Sequence, residues 1–142
     1  MNIKYKVYTL KNFGDDRGSL IPIEEGNNVK FKVKRVFYIY GTSDNVRRGI
    51  HANKDSQFLM VVISGSCKVL VDDGFKREVI ELNQPNQALY LDKMVWKEMY
   101  DFSKNAILLV ISNQKYNENE YIRDYDEFVR MVMKKKEIAN QH

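Results

Sequence analysis

The 142-residue chain contains two histidines, His51 and the terminal His142. His51 sits in the stretch Arg48-Gly49-Ile50-His51-Ala52-Asn53-Lys54, where the reactive chemistry of the sequence is concentrated. An imidazole titrates near neutral pH, so a single histidine in a pocket can take a proton from a substrate and return it. Arg47, Arg48 and Lys54 flank it and supply charge for an anionic, phosphate-bearing ligand. A lone histidine is more often a hydrogen-bonded core or loop residue. The flanking cations weigh against that here, as do the aromatic residues Tyr38, Tyr40, Tyr90, Trp96 and Tyr100 on neighbouring strand-like runs. Much of that aromatic supply is also what an ordinary core requires.

The spacing His51-x-Asn53-x3-Gln57-x7-Gly65 resembles the first cupin motif, in which a His-x-His pair and a Glu on adjacent strands point into a small β-barrel. Cupins often hold a metal with three His and one Glu. The matching places here are His51, Asn53, Gln57 and Lys97. Two amides and an ammonium are poor ligands, and the ammonium repels a divalent cation. The expectation is therefore proton transfer without a catalytic metal or a cofactor.

The elements that must position these residues are short strands. Lys4–Leu10, Ser19–Glu24, Phe31–Tyr40, Gln57–Ile63, Cys67–Asp72, Phe75–Leu82, Ala88–Leu91, Trp96–Asp101 and Ala106–Ser112 alternate or run apolar, with turn signals every 8–12 residues. Asp72-Asp73-Gly74 predicts a hairpin, and Gly41–Arg48 a polar loop. About ten such strands predict an all-β sandwich or barrel. Only the tail differs. Glu118–Lys136 places Ile122, Tyr125, Val129 and Val132 on one helical stripe beside Phe128, with Lys134–Lys136 in the last turn. The predicted organisation is one domain over residues 1–142, with a barrel over about 4–114 and a C-terminal helix over about 118–136.

Composition narrows the function. Hydrophobic residues are 44% and charged residues 30%, as in a globular chain. The net charge of +4 is too diffuse for a nucleic-acid surface but suits a phosphorylated ligand. No apolar run spans a membrane, and Met1-Asn2-Ile3-Lys4 does not begin a signal peptide, so a cytoplasmic protein without membrane contact is expected. The single cysteine, Cys67, reads as a small core residue.

Several ordered segments carry a more specific likeness. Asp16-Arg17-Gly18-Ser19-Leu20, Lys34-Arg35-Val36-Phe37-Tyr38-Ile39, Arg48-Gly49-Ile50-His51-Ala52, Leu70-Val71-Asp72-Asp73-Gly74, the run from Val95-Trp96-Lys97 to Ser103, and Tyr121-Ile122-Arg123-Asp124-Tyr125 resemble the dTDP-sugar 3,4-ketoisomerases. The likeness covers about Leu10 to Phe128. It implies a metal-free cupin jelly-roll barrel acting on dTDP-4-keto-6-deoxyglucose. It also implies a homodimer with exchanged N-terminal strands, serving synthesis of a 3-amino-3,6-dideoxy sugar of bacterial surface glycans. By position, His51 is the base, and Arg17 and Tyr38 polarise an oxygen or relay the proton. Arg48 and Lys54 hold the diphosphate, Asn53 hydrogen-bonds, and Tyr90, Trp96, Lys97 and Tyr100 line the substrate. Arg17-Gly18 resembles the group that forms the galacto configuration.

Two positions depart from the family. His-Ala-His becomes His51-Ala52-Asn53, and the His that often follows the Trp is Lys97. One imidazole moving a proton on a single face of an enediolate needs no second histidine. The loss also leaves open a nucleotide-sugar binding module without catalysis. An epimerase that leaves the ketone at C4 and a metal-dependent oxygenase are further alternatives.

Overall fold

The computed structural model describes residues 4–141. Met1–Ile3 and His142 lie outside the described residues. The described residues form ten strands: β1 Tyr5–Thr9, β2 Arg35–Tyr40, β3 Arg48–Asn53, β4 Phe58–Ser64, β5 Cys67–Asp72, β6 Arg77–Leu82, β7 Gln87–Leu91, β8 Trp96–Tyr100, β9 Ile107–Ser112 and β10 Tyr121–Ile122. A helix, α1, spans Tyr125–Asn140. The strands make two antiparallel five-stranded sheets, ordered β1-β7-β4-β9-β2 and β10-β3-β8-β5-β6. This is the all-β jelly-roll architecture with a C-terminal helix that the sequence predicts.

Three apolar layers hold it together. Phe58, Met60, Val69, Val71, Leu89, Leu108 and Val110 fill the space between the sheets. Leu59, Val61, Ala88 and Ile111 point the other way and are covered by Leu10, Val29 and Phe31. β4 is therefore buried on both faces, which is why its sequence runs apolar instead of alternating. On the back of the second sheet, Ala52, Leu70, Trp96 and Ile122 pack with Phe128 of α1. Cys67 is buried in the middle layer, and burial pushes its thiol up to about 12.

Several boundaries differ from expectation. Ser19–Glu24 is not a strand; Ile21 and Ile23 serve as cover for the first sheet. Pro22 lacks an N–H, and Asn28 takes over by donating to the Pro22 carbonyl and accepting from Glu24 N–H. The Asp72–Gly74 hairpin forms, but pairing resumes only at Arg77, because Asp73 Oδ1 caps the N–H groups of Phe75 and Lys76. The helix starts at Tyr125, not Glu118. Asp124 is its N-cap, accepting from Glu127 N–H at 3.0 Å. Ile122 joins the helical stripe's cluster from β10. Lys134–Lys136 lies short of the last turn, which has no basic residue.

Candidate active site

The segment around His51 is a strand, β3, pairing with β8 on one side and β10 on the other. Its sequence hides this, because Gly49 lies at φ +64°, where glycine alone is unstrained. A Cβ there would collide with the tip of the Met99 side chain. Pairing with β8 shifts register between Arg48 and His51. Residues three apart face opposite sides of a regular strand; the irregularity lets both line the same cavity.

That cavity, about 390 Å³, opens between the sheets. Arg35, Phe37 and Ile39 of β2, Arg48 and His51 of β3, Lys97 and Met99 of β8, and Tyr121 with Arg123 beside β10 line it. No carboxylate does. Arg17, Arg47 and Arg77 are paired with Asp15, Glu98 and Asp72. Among the described residues, the cavity arginines Arg35, Arg48 and Arg123 have no such partner. Unpaired guanidinium groups facing a cavity form a receptor for an anion, best a phosphate.

His51 stacks on Tyr121, with ring centroids 4.4 Å apart and planes at 22°. Arg123 lies over the Tyr121 ring at 4.8 Å. Burial, then the charges of Lys97 and Arg123, hold the His51 imidazole down to about 3, with Asn53 acting weakly the other way. The ring is neutral at pH 7 and has a free lone pair, as a base requires. Lys97 faces His51 across the β3–β8 ladder. Its Nζ donates to Asn53 Oδ1 at 2.7 Å and sits 4.7 Å over the Phe58 ring. Burial and Arg35 lower it to about 7, against the raising effect of Glu120. Asn53 Nδ2 is buried without a partner.

The other sequence-derived candidates lie elsewhere in this chain. Trp96 and Tyr100 belong to the layer under α1: with Lys97 and Met99 inward, strand alternation turns positions 96 and 100 outward. Tyr38 is 62% exposed on the outer face of β2 for the same reason, opposite Phe37. Tyr90 accepts from Gln57 Nε2 and lines a larger outer cleft of about 550 Å³ with Tyr8 and Phe31. Gln57 thus lies outside the His51 cavity. Lys54 is exposed, and Arg17 pairs with Asp15 on the surface. Sequence reasoning missed Arg35, Tyr121 and Arg123. The Asp124-x-x-Glu127 cap signature ends the preceding segment before the helix and so marks Tyr121-Ile122-Arg123 as separate.

The donor set does not suit a metal. Among the described residues no three His, Cys, Asp or Glu side chains converge, and the polar groups beside His51 are an amide and an ammonium.

Lys97 makes a stability prediction. Its pKa of about 7 in the fold lies below its ordinary 10.5, so between those values the unfolded chain binds more protons and stability rises with pH. Below pH 7 the ammonium costs roughly 5 kcal/mol. Lys97→Met removes that cost and leaves Asn53 short of a partner, a loss of about 1–3 kcal/mol. The variant should melt several degrees higher at pH 6.5, with the gain gone by pH 10. A variant that melts lower at both pH values would contradict this account of Lys97.

A two-sheet jelly roll with a neutral imidazole in a cation-walled cavity is the layout of a small cupin-type protein whose cavity suits an anion. The family model described as "FdtA: WxcM-like, C-terminal" matches residues 3–133, and the chain belongs to that family. A TDP-4-oxo-6-deoxy-alpha-D-glucose-3,4-oxoisomerase of Aneurinibacillus thermoaerophilus is 42% identical over 129 residues, 91% of this chain and 93% of the relative. The structure of WlaRA, a TDP-fucose-3,4-ketoisomerase from Campylobacter jejuni, superposes with a TM-score of 0.87 at 42% identity, covering 92% of this chain and 96% of its own. QdtA, a sugar 3,4-ketoisomerase from Thermoanaerobacterium thermosaccharolyticum solved in complex with TDP, gives a TM-score of 0.90 at 33% identity over 95% of this chain and 98% of that one. The protein is an isomerase of the sugar 3,4-ketoisomerase type, which sets aside the binding module and the oxygenase.

Proposed function

We propose that the protein converts dTDP-4-keto-6-deoxy-D-glucose into a dTDP-3-keto-6-deoxyhexose of galacto configuration, feeding synthesis of a 3-amino-3,6-dideoxy sugar. The observation that carries this reading is His51, neutral and stacked on Tyr121, in a cavity walled by three unpaired arginines. The arginines bind the diphosphate and the imidazole faces the sugar. His51 takes the proton from C3, acidified by the C4 ketone. The electron pair forms the C3–C4 double bond, and the C4 oxygen carries the negative charge. The Lys97 ammonium, opposite His51, stabilises that charge. The C3 hydroxyl proton passes to the C4 oxygen, and the imidazolium returns its proton to C4, leaving the ketone at C3. No electrons enter or leave, so no redox cofactor is required.

The reading includes a homodimer with exchanged N-terminal strands. Val36, Tyr38 and Tyr40 form an apolar row on the outer face of edge strand β2, 58–69% exposed, which supports burial against a second copy. Arg17 and Tyr38 would act in the second copy's cavity. The galacto assignment rests on Arg17-Gly18.

The test is incubation with dTDP-4-keto-6-deoxyglucose and a 3-aminotransferase in deuterated water. The expected outcome is a 3-amino sugar of galacto configuration whose C4 hydrogen is the one taken from C3, with deuterium at C4 only as far as the imidazolium exchanges with solvent before returning its proton. Deuterium at C3 with the ketone still at C4 would identify an epimerase and overturn the proposal.

A further inference from the structure

Glu120 is 5% exposed, in the three-residue 3₁₀ turn Glu118–Glu120 just before β10, and does not line the cavity. Its Oε1 accepts the N–H groups of Asp55 at 3.1 Å and Ser56 at 2.8 Å, and its Oε2 accepts the Ser56 hydroxyl. Its carbonyl accepts Lys54 N–H at 2.9 Å. These four bonds clamp the connection between β3 and β4. On one side of that connection stands Asn53, which holds the Lys97 ammonium; on the other stands Phe58, whose ring lies under it.

The clamp also fixes β10. A two-residue edge strand has only the pairs Tyr121–Asn53 and Ile122–Ala52 to hold it, too little to fix a segment in water. Yet that segment supplies the Tyr121 ring stacked on His51 and the Arg123 guanidinium at the cavity. A buried carboxylate with two backbone donors and a hydroxyl is fully satisfied and rigid, as a supporting contact must be.

We propose that Glu120 is a positioning residue of the active site: its carboxylate staples β10 to the β3–β4 connection and so sets Tyr121 against His51 and Arg123 at the cavity. The proposal rests on the reading of this cavity as the active site.

The charge has a separate consequence. Lys97 is faced by Arg35 of β2, by His51 and Arg48 of β3, and by Tyr121 and Arg123 at β10. Glu120 supplies the negative charge that raises its pKa, without a direct ion pair to it. Neutralising Glu120 therefore drops Lys97 further below about 7 and moves the alkaline limb of activity to lower pH.

The test compares native protein, Glu120→Gln and Glu120→Ala, all without an affinity tag. With only two histidines in the chain, the His51 ring protons are readily followed by NMR, displaced upfield by the Tyr121 ring. Glu120→Ala should lose that displacement, lower kcat about tenfold or more and raise KM, since misplacement of about 1 Å is costly. Glu120→Gln keeps an oxygen for the two N–H groups and an NH₂ that Ser56 can accept. It should keep the His51 displacement and most of kcat at pH 6, with its alkaline limb moved to lower pH, a shift that loss of a purely structural contact does not produce. A native-like resonance and kcat in Glu120→Ala, or a Glu120→Gln profile superimposing on the native one, would overturn the proposal. If Glu120→Ala does not fold, the Glu120→Gln profile decides alone. The NMR comparison needs no substrate, so failure of the proposed reaction is distinguishable from failure of the clamp.

Discussion

Replacing His51 with asparagine is expected to lower kcat about 10³-fold or more while leaving the fold and TDP binding intact. General base catalysis by a positioned imidazole contributes about 10²–10⁴-fold, and no other unprotonated nitrogen faces this cavity at low pH: its remaining polar side chains are three guanidinium groups, the Lys97 ammonium and the Tyr121 phenol. An asparagine has a similar shape at its first atoms and no usable basicity. Binding should survive because the proposed phosphate contacts fall to the arginines. Steady-state assay with product analysis, plus calorimetric titration with TDP, checks both halves. A near-native rate in His51→Asn would remove His51 as the base. A companion change, Asn53→His, should give less than a several-fold gain. Asn53 is 2% exposed and its Oδ1 is committed to Lys97, so it acts as a hydrogen-bond partner there, not as a missing second base.

Replacing Arg35 with alanine is expected to weaken TDP binding about 10–100-fold, the loss of one charge-assisted contact worth about 1.5–3 kcal/mol. Arg35 projects from β2 into the cavity and rests on the Phe37 ring at 4.5 Å without a carboxylate to compete for it. The same change has a second effect. Arg35 is one of the charges that lower the His51 pKa, so its removal raises that pKa in the free protein. TDP binding to the native protein should raise it as well, because the diphosphate offsets the same field. On the proposed reading, an imidazole held at about 3 gains basicity as the substrate's phosphates arrive. Calorimetry and a pH titration of the His51 ring protons by NMR test the pair of effects. Unchanged TDP affinity in Arg35→Ala would place the diphosphate elsewhere.

How much of this was legible in the sequence follows from the range of the interactions involved. Alternation along β2, the apolar run of β4, the Asp-Asp-Gly hairpin and the amphipathic tail are local patterns, and they determined an all-β sandwich or barrel ending in a helix. His51 with Arg48, and Asn53 and Lys97 as residue types unsuited to a metal, were equally readable, because residue type and spacing carry that information; Arg47 and Lys54 of the same flank turn away from the cavity. Tertiary structure alone decided which side chains share the cavity. β10 exists only because β3 offers it a partner some seventy residues away in sequence, so Tyr121 and Arg123 read as the front of a helix until that pairing is seen. Arg35 looked like one cation among many until the described ion pairs left it without a partner. Trp96 and Tyr100 have the composition of a sugar pocket but stand one residue before and three after Lys97, and residues at odd spacing along a regular strand face opposite sides. Gly49 worked the other way, bending β3 so that Arg48 and His51 meet in one cavity. Chemistry was written in residue types; which residues act together was written in long-range pairing, because only a folded sheet fixes which face each side chain occupies.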